Sequence, residues 1–230
     1  MKLPTFLSDP KSLRRFEIGL TGLTLLSGIY ALYMVFLVVP NERFMGPVQR
    51  IFYFHVGCAV ATYCAIGMVF FAALFHFSNR HPFWDILSTA AAEVALVFCS
   101  IVMVTGMIWG HSAWNTWFRW EPRLVSFLIL LLILLAMVLL RVFGDKDKVE
   151  NHCAAFGILA AVNIPLVMFS VKILPKAAQL HPEVIQDRGL REPSFVKAML
   201  ISMLALILLQ FFMVWVRTKI EMLSRKEQSL

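Results

Sequence analysis

The sequence predicts an all-α protein, a polytopic membrane protein whose six transmembrane helices form one bundle with a tryptophan-rich outer loop. Three observations carry this. Hydrophobic residues make up 60% of the 230 and charged residues only 15%, with a mean hydropathy of +0.76; a soluble domain carries far more charge. Six apolar runs each have about 20 residues, the length that crosses bilayer hydrocarbon as a helix. Four of the six tryptophans fall between positions 109 and 120, in a more polar segment flanked by two of those runs. The runs fill more than half of the chain, so residues 1–230 read as a single membrane domain with no room for a separate soluble one.

The first run lies near 17–39. Lys11, Arg14 and Arg15 precede it and only Arg43 soon follows, so the positive-inside rule puts the N-terminus in the cytoplasm. The run is too long for a signal-peptide core and lacks a small-residue cleavage site after it, so it reads as a retained helix. Connection 40–49 faces outward and leads to the second run, near 50–75. A short inner connection with His76, Arg80, His81 and Trp84 leads to the third, near 86–108. Segment 109–123 is again outside. The fourth run, near 124–143, descends to the charged turn 144–151, and the fifth, near 153–174, climbs to the longest connection, 175–194. Pro175, Pro182, Gly189 and Pro193 argue against one continuous helix there. The sixth run, near 195–216, returns the C-terminus to the cytoplasm.

The net charge of +7 and the pI near 9.5 do not point to nucleic acid, because the basic residues sit in the connections between apolar runs. The four cysteines, Cys58, Cys64, Cys99 and Cys153, form no C-x-x-C pair and lie in or at the edge of apolar runs, as small buried thiols do. No C-x-x-C-H occurs, so the chain attaches no c-type haem to itself.

The tryptophan segment reads Trp109-Gly110-His111-Ser112-Ala113-Trp114-Asn115-Thr116-Trp117-Phe118-Arg119-Trp120-Glu121-Pro122-Arg123. Trp114, Trp117 and Trp120 are spaced by three, which on a helix covers a face roughly 120° wide, with Pro122 ending any such helix. An interfacial aromatic belt and a platform for a large planar ligand are both open readings. Three histidines share this outer side. His55 stands at the outer end of the second helix, as a helix-end polar group or an axial nitrogen for haem iron. His111 lies inside the tryptophan segment, and His181 lies in connection 175–194. Arg50 suits a ligand carboxylate or a lipid phosphate. Glu93 interrupts the third run, roughly 10 Å from its inner end; Arg80 or Arg141 is its expected partner, and a functional role is the alternative.

Taken together, Trp109-Gly110, Trp114, Trp117, Trp120-Glu121 and Arg123-Leu124-Val125-Ser126 resemble the W-G-x-x-x-W-x-x-W-x-x-W-D-x-R-L-T-S signature of the cytochrome c assembly protein family. Arg50-Ile51-Phe52-Tyr53-Phe54-His55-Val56 is similar to the family's first histidine motif, and Asn163-Ile164-Pro165 with Ser170-Val171 to its fifth-helix pattern. The length and six helices resemble the haem exporter protein C (CcmC) branch. Glu121 stands where the family has Asp, Val125 where it has Thr, and Gly57 where Pro is frequent. His181 lies further from Ser170 than the pattern has it.

The resemblance implies a haem-handling protein of the bacterial inner membrane, without an enzyme activity of its own beyond promoting haem attachment. It implies haem b, bound non-covalently and transiently at the outer face and delivered to a periplasmic haem chaperone. It also implies ABC transporter ATPase and membrane subunits and a small membrane helper protein as partners. It makes His55 and His181 the iron ligands, with Trp109, Trp114, Trp117, Trp120, Glu121, Arg123 and Arg50 around the haem. The alternative is a cytochrome b-type anchor subunit exchanging electrons with quinone, which needs paired histidines on facing helices. A transporter with a midplane site is a further rival, to which Pro165 and Glu93 point weakly.

The charge bias generates a test of topology. In a cysteine-free background, a cysteine at position 112 or 186 should react with an impermeant thiol reagent added from the periplasm. Labelling from the cytoplasmic side alone would put the three outer histidines on the wrong face.

Overall fold

The computed structural model describes residues 9–43, 45–145, 147–173 and 193–228. Among them, six helical spans are long and apolar enough to cross a membrane. Helix α1 is Pro10–Tyr33, widening into a π-helical turn at Met34–Val38. A 3₁₀ turn, Pro47–Arg50, leads into α2, Ile51–Asn79. Then come α3 (Pro82–Trp114), α4 (Pro122–Phe143), α5 (Val149–Ile173) and α6 (Pro193–Gln228). Successive helices run in opposite directions. The start of α1 meets the end of α6 through Glu17 and Lys219, and the start of α2 meets the end of α3 through His55 and Thr105. One end of the bundle is therefore a terminal face and the other a tryptophan face.

Local chemistry sets the helix ends. Five of the six spans open on proline, at Pro10, Pro47, Pro82, Pro122 and Pro193, where the missing N–H costs nothing and φ is already helical. Asp9 caps α1 by accepting from the Lys11 and Ser12 N–H groups, both at 3.2 Å, and from the Ser12 hydroxyl at 2.7 Å. The hydroxyl bond, then the backbone bonds, hold its carboxyl below the usual carboxylate range. His81 Nδ1 accepts from the Phe83 N–H and caps α3, which gives that histidine a structural task. Helices α2 and α3 stop where Arg80 and Asn115 turn left-handed, both at φ 54°. Each donates its N–H back to a carbonyl one turn earlier, on His76 and His111.

The tryptophan segment departs from the expected layout. Helix α3 overruns residue 108 and takes in Trp109, His111 and Trp114. Asn115 then ends the helix, so Trp114, Trp117 and Trp120 do not share a helical face. Pro122 closes no helix; it opens α4.

Helix α2 is central, packing most extensively on α3 and also on α6 and α5, while α1 packs mainly on α6. The contact of α2 with α3 is built of small side chains: Cys58, Ala61 and Ala65 from one helix, Ala91, Ala95 and Cys99 from the other, each at most 3% exposed. Lipid tails are as apolar as leucine, so helices in a bilayer associate through close packing, which small residues permit. Gly57 serves α6 in the same way: a Cβ there would fall 2.5 Å from Leu206 Cδ1 and 3.2 Å from the Ser202 carbonyl oxygen. The outward surfaces carry large exposed aliphatics such as Leu26 and Leu37, the composition of a lipid-facing wall.

A chain of ion pairs ties the helices together toward the terminal face. Buried Asp85 of α3 takes Arg141 of α4 at 2.6 Å and Arg225 of α6 at 2.7 Å. Arg225 also meets Glu221 at 3.0 Å, Glu221 meets Arg217 at 2.9 Å, and Arg217 meets Glu93 at 2.5 Å. Glu93 is thus partnered by Arg217, not by Arg80 or Arg141. Arg141 is committed to Asp85, and Arg80 reaches Asn151 and His76. Breaking a buried pair from one side strands a charge. Asp85→Ala, which strands two guanidinium groups, should destabilise the bundle by about 3–5 kcal/mol, seen as a lower melting temperature in detergent. Half-exposed Glu93 should cost less on replacement by Gln. Equal melting of wild type and Asp85→Ala would show that this network does not hold the helices.

Candidate functional site

At the tryptophan face the starts of α2 and α4 and the end of α3 enclose a cavity of about 210 Å³. His55, Trp109, Trp114 and Arg123 line it, so four of the expected site residues converge. Tyr63 and Phe127 also line it, with ring centroids 6.4 Å apart and the rings edge to face.

His55 is held in a defined state by α3. Its Nδ1 lies 3.0 Å from Thr105 Oγ1, and the Thr105 hydroxyl donates to the Ile101 carbonyl at 2.6 Å. A hydroxyl has one proton. With that proton given to the backbone, Oγ1 accepts, so Nδ1 is the protonated nitrogen and Nε2 keeps the lone pair. That is the tautomer of a histidine ready to bind a metal through Nε2, with its other nitrogen fixed by a neighbour. Gly106 makes the approach possible: a Cβ on it would stand 3.0 Å from His55 Cε1 and 3.6 Å from Nδ1.

The indoles divide into two pairs. Trp109 and Trp114 meet edge to face, 5.0 Å between centroids and 83° between planes. Among the described residues the buried Trp109 indole N–H has no hydrogen-bond partner, and such donors are rare. Trp117 and Trp120 do not line the cavity and are 57% and 81% exposed. Trp117 stacks on His111 at 4.1 Å and 23°, and Trp120 meets Phe118 edge to face at 5.4 Å. The segment after α3 therefore carries two largely exposed indoles.

The remaining expected residues have other local tasks. Glu121 is buried at the start of α4, with Arg119 Nε 3.5 Å from its Oε1. Arg50 directs Nη2 to the Val39 carbonyl at 3.5 Å, while its buried Nε has no partner among the described residues. His181 lies outside the described residues. Among the described residues no three His, Cys, Asp or Glu side chains converge on a bare metal ion.

Sequence reasoning passed over Tyr63, Thr105, Gly106, Phe118 and Phe127. The signal for Tyr63 was present, because His55, Ala59 and Tyr63 recur every four residues on one face of α2. Thr105 carried no signal of its own, since its value depends on the helix across from it.

A multi-pass helical membrane protein with a half-buried histidine, an indole-lined notch and exposed tryptophans at one end is the class that this fold and site define. The profile of the family described as Heme exporter protein C matches residues 8–230, and the chain belongs to that family. It is 28% identical over 194 residues to the Heme exporter protein C of Bradyrhizobium diazoefficiens, covering 84% of this chain and 74% of that protein. It is 30% identical over 158 residues to that of Rhodobacter capsulatus, covering 68% and 64%. A putative cytochrome c biosynthesis ccmC-like mitochondrial protein of Marchantia polymorpha is 32% identical over 142 residues, or 61% and 60%. The matched stretches thus span under two thirds of the length of the last two relatives.

The assigned tautomer is testable without any ligand. Histidine-selective ¹⁵N NMR of the detergent-solubilised protein should show His55 as the Nδ1–H form. Thr105→Val should shift it toward the Nε2–H form and cost about 0.5–1.5 kcal/mol of stability, the net contribution of one lost hydrogen bond. An unchanged tautomer in the variant would mean that the hydroxyl does not orient the ring.

Proposed function

We propose that this protein binds haem at its tryptophan face and hands it on during cytochrome c maturation. The observation that carries the reading is His55, its Nδ1 tied to Thr105 and its Nε2 left with a lone pair, in a notch walled by Trp109 and Trp114 beside Arg123. Those groups meet the three needs of haem: an axial nitrogen, aromatic surface for the macrocycle and a cation for a propionate. The cavity, at about 210 Å³, is smaller than the roughly 300–1,000 Å³ of pockets that engulf their ligands. It receives one edge of a planar ligand and leaves the rest to Trp117 and Trp120 outside. Haem b bound in this way is non-covalent and exchangeable.

In this reading Trp109, Trp114, Trp117 and Trp120 form the platform, with Arg123 as the propionate cation. Arg50 lends charge at the same face, and Glu121 anchors Arg119. His55 gives one axial nitrogen and His181 the second. The tryptophan face lies toward the periplasm with both termini in the cytoplasm. The receiver is a periplasmic haem chaperone, to which the site promotes haem attachment, and ABC transporter ATPase and membrane subunits and a small membrane helper protein work alongside. A cytochrome b-type anchor needs a second histidine on a facing helix, and among the described residues the notch has only His55.

Absorption spectra of the detergent-purified protein test the ligand set. His55→Ala should lower bound haem at least about tenfold, and added imidazole should restore part of it by filling the vacant position. Trp114→Ala, Trp117→Ala and Trp120→Ala should each weaken retention about two- to tenfold, the equivalent of 0.5–1.5 kcal/mol of aromatic contact, with Trp→Phe milder. A haem spectrum untouched by His55→Ala would end the proposal. A spectrum that survives His181→Ala but not His111→Ala would move the second nitrogen into the tryptophan segment.

A further inference from the structure

The segment after α3 folds back on the last turn of that helix. Asn115 turns left-handed and returns its N–H to the His111 carbonyl at 2.9 Å. A Cβ on buried Gly110 would meet the Thr116 carbonyl oxygen at 3.4 Å and the Trp114 ring at 3.6 Å. Thr116 donates its hydroxyl to the Phe118 carbonyl at 3.3 Å, which ties the segment to itself. One residue beyond Thr116, the Trp117 indole stacks on the His111 imidazole, 4.1 Å between centroids and 23° between planes. The returning backbone thus runs beside Gly110, and Trp117 lies on the ring next to it.

His111 does not line the cavity that holds His55. Its carbonyl closes the helix end, and its ring faces Trp117. A stack of this kind draws on the flat side of the imidazole, not on its ring nitrogens. Trp117 is still largely exposed. An exposed indole samples several rotamers, and a ligand that lands on it bears the entropy of fixing one. Stacking on a ring carried by a helix fixes that rotamer beforehand. Trp120 differs, because its ring contact, Phe118, belongs to the same segment. The helix that carries His111 also carries Thr105, six residues earlier and about 9 Å away along the axis. One element thus holds both the His55 ring and the Trp117 ring.

We propose that His111 is a positioning residue of the ligand platform. It sets the angle of Trp117 and covers one face of that indole, so a planar ligand meets Trp117 on the other. The inference rests on the haem-binding reading above and gives the histidine of the tryptophan segment a task other than iron. His111 acts through the indole it holds, while His55 supplies the axial nitrogen. Because the contact is between flat rings, a phenyl ring serves in place of the imidazole, whereas a methyl group does not. Fixing the indole before the ligand arrives raises affinity without adding a contact, since folding has already done the ordering.

Two readouts on the full-length protein in detergent test this, one without haem and one with it. With 5-fluorotryptophan incorporated, the ¹⁹F resonance that Trp117→Phe removes should move toward the free amino acid and narrow in His111→Ala. It should stay displaced and broad in His111→Phe. Haem, supplied as hemin, should be held about two- to tenfold more weakly by His111→Ala and within about twofold of wild type by His111→Phe. The spectrum of the bound haem should be that of wild type in both, because no axial nitrogen has been removed. In a Trp117→Ala background His111→Ala should add no further loss, since the histidine acts through that indole. An unmoved ¹⁹F resonance in His111→Ala would overturn the inference whatever haem does. Retention weakened by Trp117→Ala but not by His111→Ala would overturn it and leave the haem reading standing. A changed haem spectrum in both His111 variants, or a full further loss in the double variant, would also overturn it.

Discussion

The approach of α2 to α3 is the contact on which the rest of the molecule depends. In a bilayer no water is expelled when two helices meet, so the pair must be held by shape. Alanine and cysteine at the contact let the backbones come close over most of their length. The consequence appears at the tryptophan face, where Gly106 passes within a Cβ's reach of the His55 ring and Thr105 reaches Nδ1. A larger side chain at Ala61, Ala65, Ala91 or Ala95 would spread the helices along their length. The imidazole would then lose its proton partner even though nothing in the site had changed.

The two ends of the bundle treat polar groups in opposite ways. Toward the terminal face, charges are consumed: Asp85, Glu93, Glu221, Arg141, Arg217 and Arg225 are bound to one another across α3, α4 and α6. Pairs at this depth are costly to form and costlier to break, so they act as a clamp on the relative positions of the helices. At the tryptophan face the Trp109 N–H has no partner among the described residues, and two indoles are exposed. Order at one end makes that openness possible at the other, because the notch is shaped by helices whose far ends are fixed.

Hydropathy alone made the six helices legible, because a bilayer-spanning run is a property of composition. The helix ends were less so. The spacing of Trp114, Trp117 and Trp120 reads as a helical stripe, yet the helix ends at one left-handed residue, Asn115, so Trp114 lines the cavity from α3 while Trp117 and Trp120 follow in irregular backbone. A single backbone dihedral leaves no periodicity to detect. His55, Trp109, Trp114 and Arg123 were legible as chemistry, and the fold gathers them. The partner of Glu93 was not, because Arg217 is 124 positions away and any arginine near that end would have matched. Thr105 shows the same limit: in its own helix it is an ordinary threonine, and only the ring opposite gives it a role.

A carrier must satisfy a constraint that a resident binding site does not, since whatever it holds it must also release. A histidine locked on both sides and enclosed in a deep pocket would retain iron too well. In the proposed site the lock is one-sided: Thr105 fixes the proton and Gly106 the distance, the notch would take one edge of the ligand, and Trp117 and Trp120 remain exposed. Aromatic faces contribute modestly and without strict direction, so a planar ligand can slide over them as a partner takes hold. On the proposed reading the specific interaction falls on the α2–α3 helix pair and the exchangeable ones on the segment after Asn115. That division of labour suits a protein that passes its cargo on.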